Sequence, residues 1–488
     1  MTRAPRVAVI GGGISGLAAA WSLRRELAGH AGQDGHADQA WEGDQAEITL
    51  FEQRRMLGGH LRVSDVAGLP VDEGAESVLA RRPEAVDLAR DVGLGDDLVH
   101  PAPVGAGIWS RGSIHPMPAS TVMGVPADPV ALSGLLTGAE VATVAGTDDA
   151  AVPGMPIEAD VSIGRLVASR MGRAVVQRLV EPLLGGVYAG HADELSLDAT
   201  VPALGAAARQ HPTLREAVQS VRESAPAPDG PVFAGIDGGV GRLPEAVARA
   251  AEADVRTGVT VRELQRDGTG WRLVTGPVPA PDIFHADAVI LAVPPVPAAR
   301  LLRGHADATA AELDGIESAS MAVVTLALPQ SAFPEPPASS GFLVPPAEGR
   351  TIKAVTYSSV KWPWLGQRAG DLVVLRASIG RHRDAATLQR DDTELVDAVL
   401  ADLHDAVGVR GRPIDSRVTR WGGAVPQYTV GHVQRVERIR AGVSQLPGLD
   451  VCGAAYDGVG IAACVGTAGA AARRVADDVR SSRVRIGT

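Results

Sequence analysis

Residues 6–16, R-V-A-V-I-G-G-G-I-S-G, decide how the rest of the chain is read. Val7, Val9 and Ile10 supply β-branched residues for a short buried strand. Gly11, Gly13 and Gly16 follow in G-x-G-x-x-G spacing, with Gly12, Ile14 and Ser15 between them, and an Ala/Leu-rich run suited to a helix comes next. Each glycine has its own task in such a turn: reversing the chain, admitting a pyrophosphate against the backbone, and letting the helix pack closely on the strand. The N–H groups and positive dipole end of the helix favour a diphosphate there. Taken alone, the spacing fits any glycine-rich turn.

Its continuation makes it specific. Residues 47–51, E-I-T-L-F, read as a second strand that runs into Glu52 and Gln53. An acid at that strand end accepts hydrogen bonds from a ribose diol. The interval from Gly16 to Glu52 exceeds the usual ~20 residues, and the polar segment 30–45 accounts for the excess as a surface insertion. Strand, turn, helix, strand and acid in this order define a dinucleotide site.

At 488 residues the chain calls for two or three modules, and 45% apolar residues suffice for large cores. A net charge of −11 argues against a nucleic-acid partner. The positive charge is nearly all arginine, Lys353 and Lys361 being the only lysines. Two cysteines, Cys452 and Cys464, make neither a disulfide framework nor a zinc site, so no metal is expected and a reducing cytoplasm is the natural compartment. The first apolar run is the dinucleotide strand, not a secretory h-region. No apolar run reaches the ~18–20 residues that span a bilayer.

The expected fold is α/β: a Rossmann-like domain interleaved with a helical insertion and a mixed-sheet substrate domain. Its first part, 1–82, carries a second glycine loop at Gly58-Gly59 and a small-residue turn at Gly74-Ala75-Glu76-Ser77. Residues 83–225 read as a mostly helical insertion, with a long amphipathic helix over 163–184 ending at Gly185-Gly186, and 226–230 as a linker. The nucleotide domain resumes over 226–305, with a strand over 255–264 carrying Val259 and a continuous β-branched run at 288–293. Alternating runs at 323–328, 352–357 and 372–377 predict an antiparallel sheet within 306–425, the floor of a substrate cavity. Residues 426–488 return to the nucleotide domain, where Val459, Gly460 and Ile461 open a second glycine-turned helix.

These motifs resemble the protoporphyrinogen/coproporphyrinogen oxidase family, within the FAD-dependent amine-oxidase-like superfamily, over nearly the whole chain. The most specific likeness is residues 178–190, R-L-V-E-P-L-L-G-G-V-Y-A-G, with Leu195-Ser196-Leu197 after them. Residues 341–345, G-F-L-V-P, then Tyr357-Ser358-Ser359 and the stretch 421–432 are also family-like. The V-M-G-V-P within 118–126 resembles the bacterial branch that oxidises coproporphyrinogen III to coproporphyrin III. Counting from His115, Ala106 stands near the point where protoporphyrinogen-oxidising relatives carry a propionate-holding arginine, and Arg111 is the only basic residue nearby. A propionate clamp must therefore be sought elsewhere.

The resemblance implies FAD contacts from Gly11 through Gly16, from Glu52, Gln53 and His60, from Gly74, Ala75, Glu76 and Ser77, and from Val259, Trp421, Val459, Gly460 and Ile461. It implies substrate contacts from Gly186, Met321 and Phe342, the last two of which also read as ordinary core residues. No catalytic residue is singled out. Cys452 reads as a small buried hydrophobe rather than a flavin attachment point, and His115 and His432 as structural hydrogen-bonders rather than bases. The implied partners are a porphyrinogen and dioxygen, with transient contact to ferrochelatase or a membrane surface, for a monomer or homodimer. Rival readings are a protoporphyrinogen IX oxidase, another flavin oxidase acting on an amine or polyene, and a non-catalytic flavin-binding protein.

Overall fold

Arg6–Ile10 forms the central strand of a five-stranded parallel sheet, between Glu47–Glu52 and Ala288–Leu291, with Asp254–Thr257 and Leu449–Val451 outermost. Val7 lies opposite Ile48 on one side and Ala288 on the other. Such strands are apolar throughout because both faces are covered. One face carries the helices Ile14–Ala28 and Ile461–Val484, which bury Leu17, Leu23, Ala468 and Ala472. The other packs on Trp271 and Leu273 of a three-stranded antiparallel layer and on Leu313 and Ile439 of two further helices. The computed structural model describes residues 3–28, 46–149, 159–225, 230–268 and 270–484. The expected insertion at 30–45 and residues 226–229 of the expected linker lie outside the described residues.

A seven-stranded mixed sheet forms the second layer, in the order Asp415–Pro426, Ser318–Pro329, Leu372–Ile379, Ile352–Tyr357, Gly341–Leu343, Gly107–Ser110, Ser113–Pro116. The antiparallel runs expected at 323–328, 352–357 and 372–377 are its core strands. Side chains alternate across a strand, so Val324, Leu326, Leu375 and Val355 share one face and bury Leu395, Val399 and Leu403 of the helix Asp392–Val407. That helix begins with a capping box between Asp391 and Glu394. The opposite face of the sheet looks toward the dinucleotide-binding layer.

Two expectations are corrected. Residues 255–264 are not one strand: Gly258 takes φ +71° and separates Asp254–Thr257, in the parallel sheet, from Glu263–Asp267, in the antiparallel layer. Val259 sits in the turn between them. The helix expected over 163–184 breaks at Gly172, whose φ of 85° and ψ of 158° no α-helix accommodates. Helical structure resumes at Arg173 and runs through Gly185-Gly186 to Tyr188, ending where Ala189 turns left-handed. The two glycines are therefore packing residues and not a stop signal. The region 83–225, expected as mostly helical, also carries strands: Gly107–Ser110 joins Gly341–Leu343 in parallel and pairs with Ser113–Pro116.

Candidate functional site

The glycine turn is held from both sides by the sheet. Gly11 N–H donates to the Phe51 carbonyl at 2.8 Å, and Gly58 N–H to the Gly12 carbonyl at 2.8 Å. A Cβ on Gly16 would lie 1.8 Å from the Gly11 carbonyl oxygen, so only glycine allows the helix to start this close to the strand. Gly13 is different: a Cβ there would meet only the Gly59 Cα, at 4.0 Å. The two glycine loops thus touch backbone to backbone, a Cβ on Gly59 coming within 3.2 Å of the Gly13 Cα, and together they present a surface free of side chains, which is the cradle a pyrophosphate requires.

Glu52 closes one end of this cradle. Its carboxylate accepts from Gly12 N–H at 2.7 Å and from Arg54 N–H at 2.7 Å, one bond per oxygen. Each oxygen retains a lone pair for a ribose hydroxyl. The second helix start arrives from the other end of the chain. Tyr428 donates its hydroxyl to the Ala454 carbonyl and accepts from Gly458 N–H, both at 2.7 Å, which fixes the turn before Ile461. His432 stacks on the Tyr428 ring at 3.9 Å, and His115 bonds the Ser110 carbonyl at 3.1 Å, so both support structure.

A cleft of about 330 Å³ runs between these parts. Of the expected cofactor residues, Gly11, Gly13, Ile14 and Ser15 line it, as do Glu52, Gln53, His60 and Ala75. Val259, Val459 and Ile461 complete that set. Gly12 and Gly16 stand behind the wall in the roles just described, and Gly460 immediately precedes the second helix. Arg300 also lines the cleft. It went unnoticed in the sequence, where only the Pro294-Pro295 break before its helix hints that a helix start faces the site.

His60 lines the cleft, while Gly74 and Trp421 pack behind His60 and do not line it. A Cβ on Gly74 would lie 2.0 Å from the His60 carbonyl oxygen. Trp421 donates its indole N–H to the Glu73 carbonyl at 2.9 Å and meets the His60 ring edge-on at 5.1 Å. Burial and then Arg54 lower the His60 pKa to about 4, so a neutral imidazole faces the cleft. Trp421 pairs in register with Met321, which brings the mixed sheet against this wall.

Glu76 has a different task from the expected cofactor contact. Its carboxylate receives Lys361 Nζ, Arg376 at 2.7 Å and Ser358 Oγ at 3.2 Å, while Arg376 also donates to the Gly74 carbonyl. Burial alone would raise the carboxyl, but Lys361 and then Arg376 outweigh it and hold the pKa at about 2. This ion cluster pins the turn through Ser77 to the sheet. Cys452 is fully buried and burial pushes its thiol up, consistent with a packed hydrophobe.

Strand register sorts the expected substrate residues. Leu343 pairs with Ala354, Ala354 with Ser378 and Ser378 with Val323, so these share a face with Met321 and Trp421. This is the face turned to the cleft. Over it lies the helix Glu181–Tyr188, where a Cβ on Gly186 would be 3.9 Å from Leu343 Cδ2. Gly186 and Met321 therefore border the same space. Phe342 does not: one residue out of phase with Leu343, it points to the opposite face and packs edge-on against Trp109 at 6.2 Å. The alternation along G-F-L-V-P decides this, and Leu343 is the residue on the face shared with Met321 and Gly186.

Among the described residues, no cluster of His, Cys, Asp and Glu could hold a metal, and no helix is long and apolar enough to cross a membrane. Two paired glycine loops, an acid with free lone pairs and a second helix start fit the site to a dinucleotide cofactor beside the mixed sheet. Residues 14–476 match the family described as flavin containing amine oxidoreductase. The coproporphyrinogen III oxidase of Mycobacterium tuberculosis (strain ATCC 25618 / H37Rv) is 40% identical over 96% of each chain. That of Bacillus subtilis (strain 168) is 30% identical over 94% of this chain and 95% of its own. The crystal structure of a candidate protoporphyrinogen oxidase from Exiguobacterium sp. 255-15 matches with a TM-score of 0.83 at 31% identity, covering 98% of this chain and all of that one. The chain belongs to the flavin-containing amine oxidoreductases and, within them, to the coproporphyrinogen/protoporphyrinogen oxidase family. It is a flavin-dependent oxidoreductase.

Proposed function

We propose that this protein binds FAD and oxidises coproporphyrinogen III to coproporphyrin III in haem biosynthesis. The observation that carries the reading is the full-length likeness to curated coproporphyrinogen III oxidases at 30–40% identity. The cleft supports it. Gly13 and Gly59 would hold the diphosphate against their backbone, Glu52 would hold the adenosine ribose, and His60 and Ala75 would border the ring system. When bound, the flavin supplies a two-electron acceptor.

The protein's own residues do the positioning. Conversion of porphyrinogen to porphyrin removes six electrons and six protons in three two-electron rounds, and three molecules of dioxygen become three of hydrogen peroxide. A macrocycle seated between Gly186, Leu343 and Met321 is held flat on the sheet and screened from water, so that each meso carbon is presented in turn. Apolar walls suit this task, and the chemistry asks for no nucleophile or metal.

Anaerobically prepared coproporphyrinogen III, mixed with the purified yellow protein and air, is expected to develop a porphyrin Soret band with equimolar peroxide per round. No Soret band, with peroxide formed from an amine instead, would overturn the reading. Protoporphyrinogen IX is the second substrate to compare, because the Exiguobacterium structure carries that name. A higher kcat/KM for coproporphyrinogen III is the expected outcome.

A further inference from the structure

Lys353, buried, and Arg381, half-buried, stand without a bonded carboxylate where the helix Glu181–Tyr188 crosses the end of the seven-stranded sheet. Lys353 sits at a bulge between Ile352 and Ala354, its carbonyl accepting from Val344 N–H at 2.9 Å. The residue is 3% exposed, and Nζ has no hydrogen-bond partner among the described residues. Arg381 lies within electrostatic reach of it. Its Nη2 donates to the Val344 carbonyl at 3.1 Å, while its Nη1 is likewise buried without a partner. A Cβ on Gly185 would come within 2.9 Å of that Nη1, so the glycine is what lets the guanidinium pass beneath the helix.

The surrounding carboxylates leave the pair open. Glu181 and Asp384 act on Arg381 through space, and neither forms an ion pair with it among the described residues. Glu181 spends Oε1 on Ala192 N–H at 3.1 Å, and burial raises its pKa. Burial and then Arg381 bring Lys353 from an ordinary 10.5 to about 7. A core shaped for stability alone would carry an apolar residue at position 353, since an unpaired interior ammonium is strongly unfavourable.

Position gives the pair a use. Val344 follows Leu343 and Gly185 precedes Gly186, so both cations lie one residue beyond the contact that closes the substrate-facing side of the sheet. A ligand lying flat on that face has its rim there. Arg381 also lines a cleft of about 410 Å³ with Arg350, Arg390 and Asp384, so its side chain, unlike that of Lys353, borders open space. Arg111, the basic residue nearest Ala106, is bound to Glu140 at 2.7 Å and is not free for this task.

We propose that Lys353 and Arg381 form an anion subsite that receives one propionate carboxylate of the macrocycle, with the backbone at Gly185-Gly186 as its wall. The inference rests on the reading of the chain as a coproporphyrinogen oxidase, and it names where part of the substrate's charge is matched. The carboxylate accepts from Nζ and Nη1 in charge-assisted bonds. A vinyl group at the same place leaves both cations unpaired, so the subsite favours the propionate-bearing substrate.

The test uses the flavin-loaded protein with Lys353→Met, which replaces the ammonium by an apolar chain of similar length, and Arg381→Gln as an independent arm. Two quantities are read: the kcat/KM ratio of coproporphyrinogen III to its uncharged tetramethyl ester, and the affinity for coproporphyrin III by fluorescence quenching. Each variant is expected to lower the acid-over-ester preference and the porphyrin affinity at least tenfold, mostly through KM, and Lys353→Arg to restore most of both. Retention of the flavin spectrum separates this outcome from loss of fold. Wild-type turnover with an unchanged preference in both variants overturns the subsite and leaves the proposed activity standing. A wild type that does not oxidise coproporphyrinogen III overturns the activity, and the subsite with it.

Discussion

Both lysines of the chain are tied to the mixed sheet, and their surroundings differ in one respect. Lys361 shares Glu76 with Arg376, so two cations and one carboxylate are bonded at close range. Lys353 shares its neighbourhood with Arg381 and no bonded carboxylate. In the first site attraction exceeds the cost of burial, and the cluster locks the turn through Gly74 onto the sheet. In the second the cost of burial is unmet by the protein itself. The pair teaches that interior charge serves structure where it is neutralised internally and serves recognition where the counter-charge is left to a ligand.

The largest effect should come from opening the closed site. Glu76→Gln leaves Lys361 and Arg376 buried without their anion, and about 3–5 kcal/mol of stability should be lost. Urea unfolding of the flavin-loaded protein measures it. A loss under about 1 kcal/mol would erase the contrast between the two sites.

The open site should show itself through pH. Lys353 titrates near 7 when folded and near 10.5 when unfolded, so between those values the unfolded chain binds the extra proton. Relative to Lys353→Met, the wild type should gain stability as pH rises from 7 to 10, on the order of 1.4 kcal/mol per unit at the steepest. That gain is complete above the unfolded pKa and is lost as pH falls through the folded one. Parallel stability–pH curves for the two proteins would show that Lys353 is not buried as described.

Glu52 extends the contrast to an anion, because it lines the cofactor cleft and each of its oxygens keeps a lone pair free. Glu52→Ala should weaken flavin binding by about 1.5–3 kcal/mol, or roughly ten- to a hundredfold, with little change in urea stability of the flavin-free protein. Titration with FAD followed by flavin fluorescence reads the affinity. Unchanged affinity would remove Glu52 from the ribose.

Much of the nucleotide layer was legible because its signals are local. Gly11, Gly16 and Glu52 act through backbone geometry over short stretches, and the β-branched run at 288–291 can form little other than a buried parallel strand. The substrate side depends on relations the linear chain hides. Whether Phe342 or Leu343 meets the cavity turns on the phase of a three-residue strand against its neighbours, and a hydrophobic pair in sequence carries no phase. Glu76 sits in a glycine-rich stretch that reads as cofactor loop, yet its partners lie at 358, 361 and 376, where only the folded sheet brings them. The break at Gly172 rather than Gly185 follows from packing too, since helical glycines near Arg381 exist to admit a guanidinium. Lys353 left one faint mark: a lysine inside an alternating apolar strand of a nearly lysine-free chain.

The strand order of the parallel sheet sets a timetable for the protein's birth. Arg6–Ile10 and the helix Ile14–Ala28 leave the ribosome long before the helix Ile461–Val484 that covers them is made. At roughly 5–20 residues per second, the roughly 440 residues between Ile10 and Leu449 take on the order of 20–90 s. Throughout that interval Leu17, Leu23 and their neighbours lack half of their eventual cover. The nascent chain therefore carries an unfinished apolar face for all of that time, and the cofactor cradle, whose second helix start is at Ile461, closes only after that helix has been made.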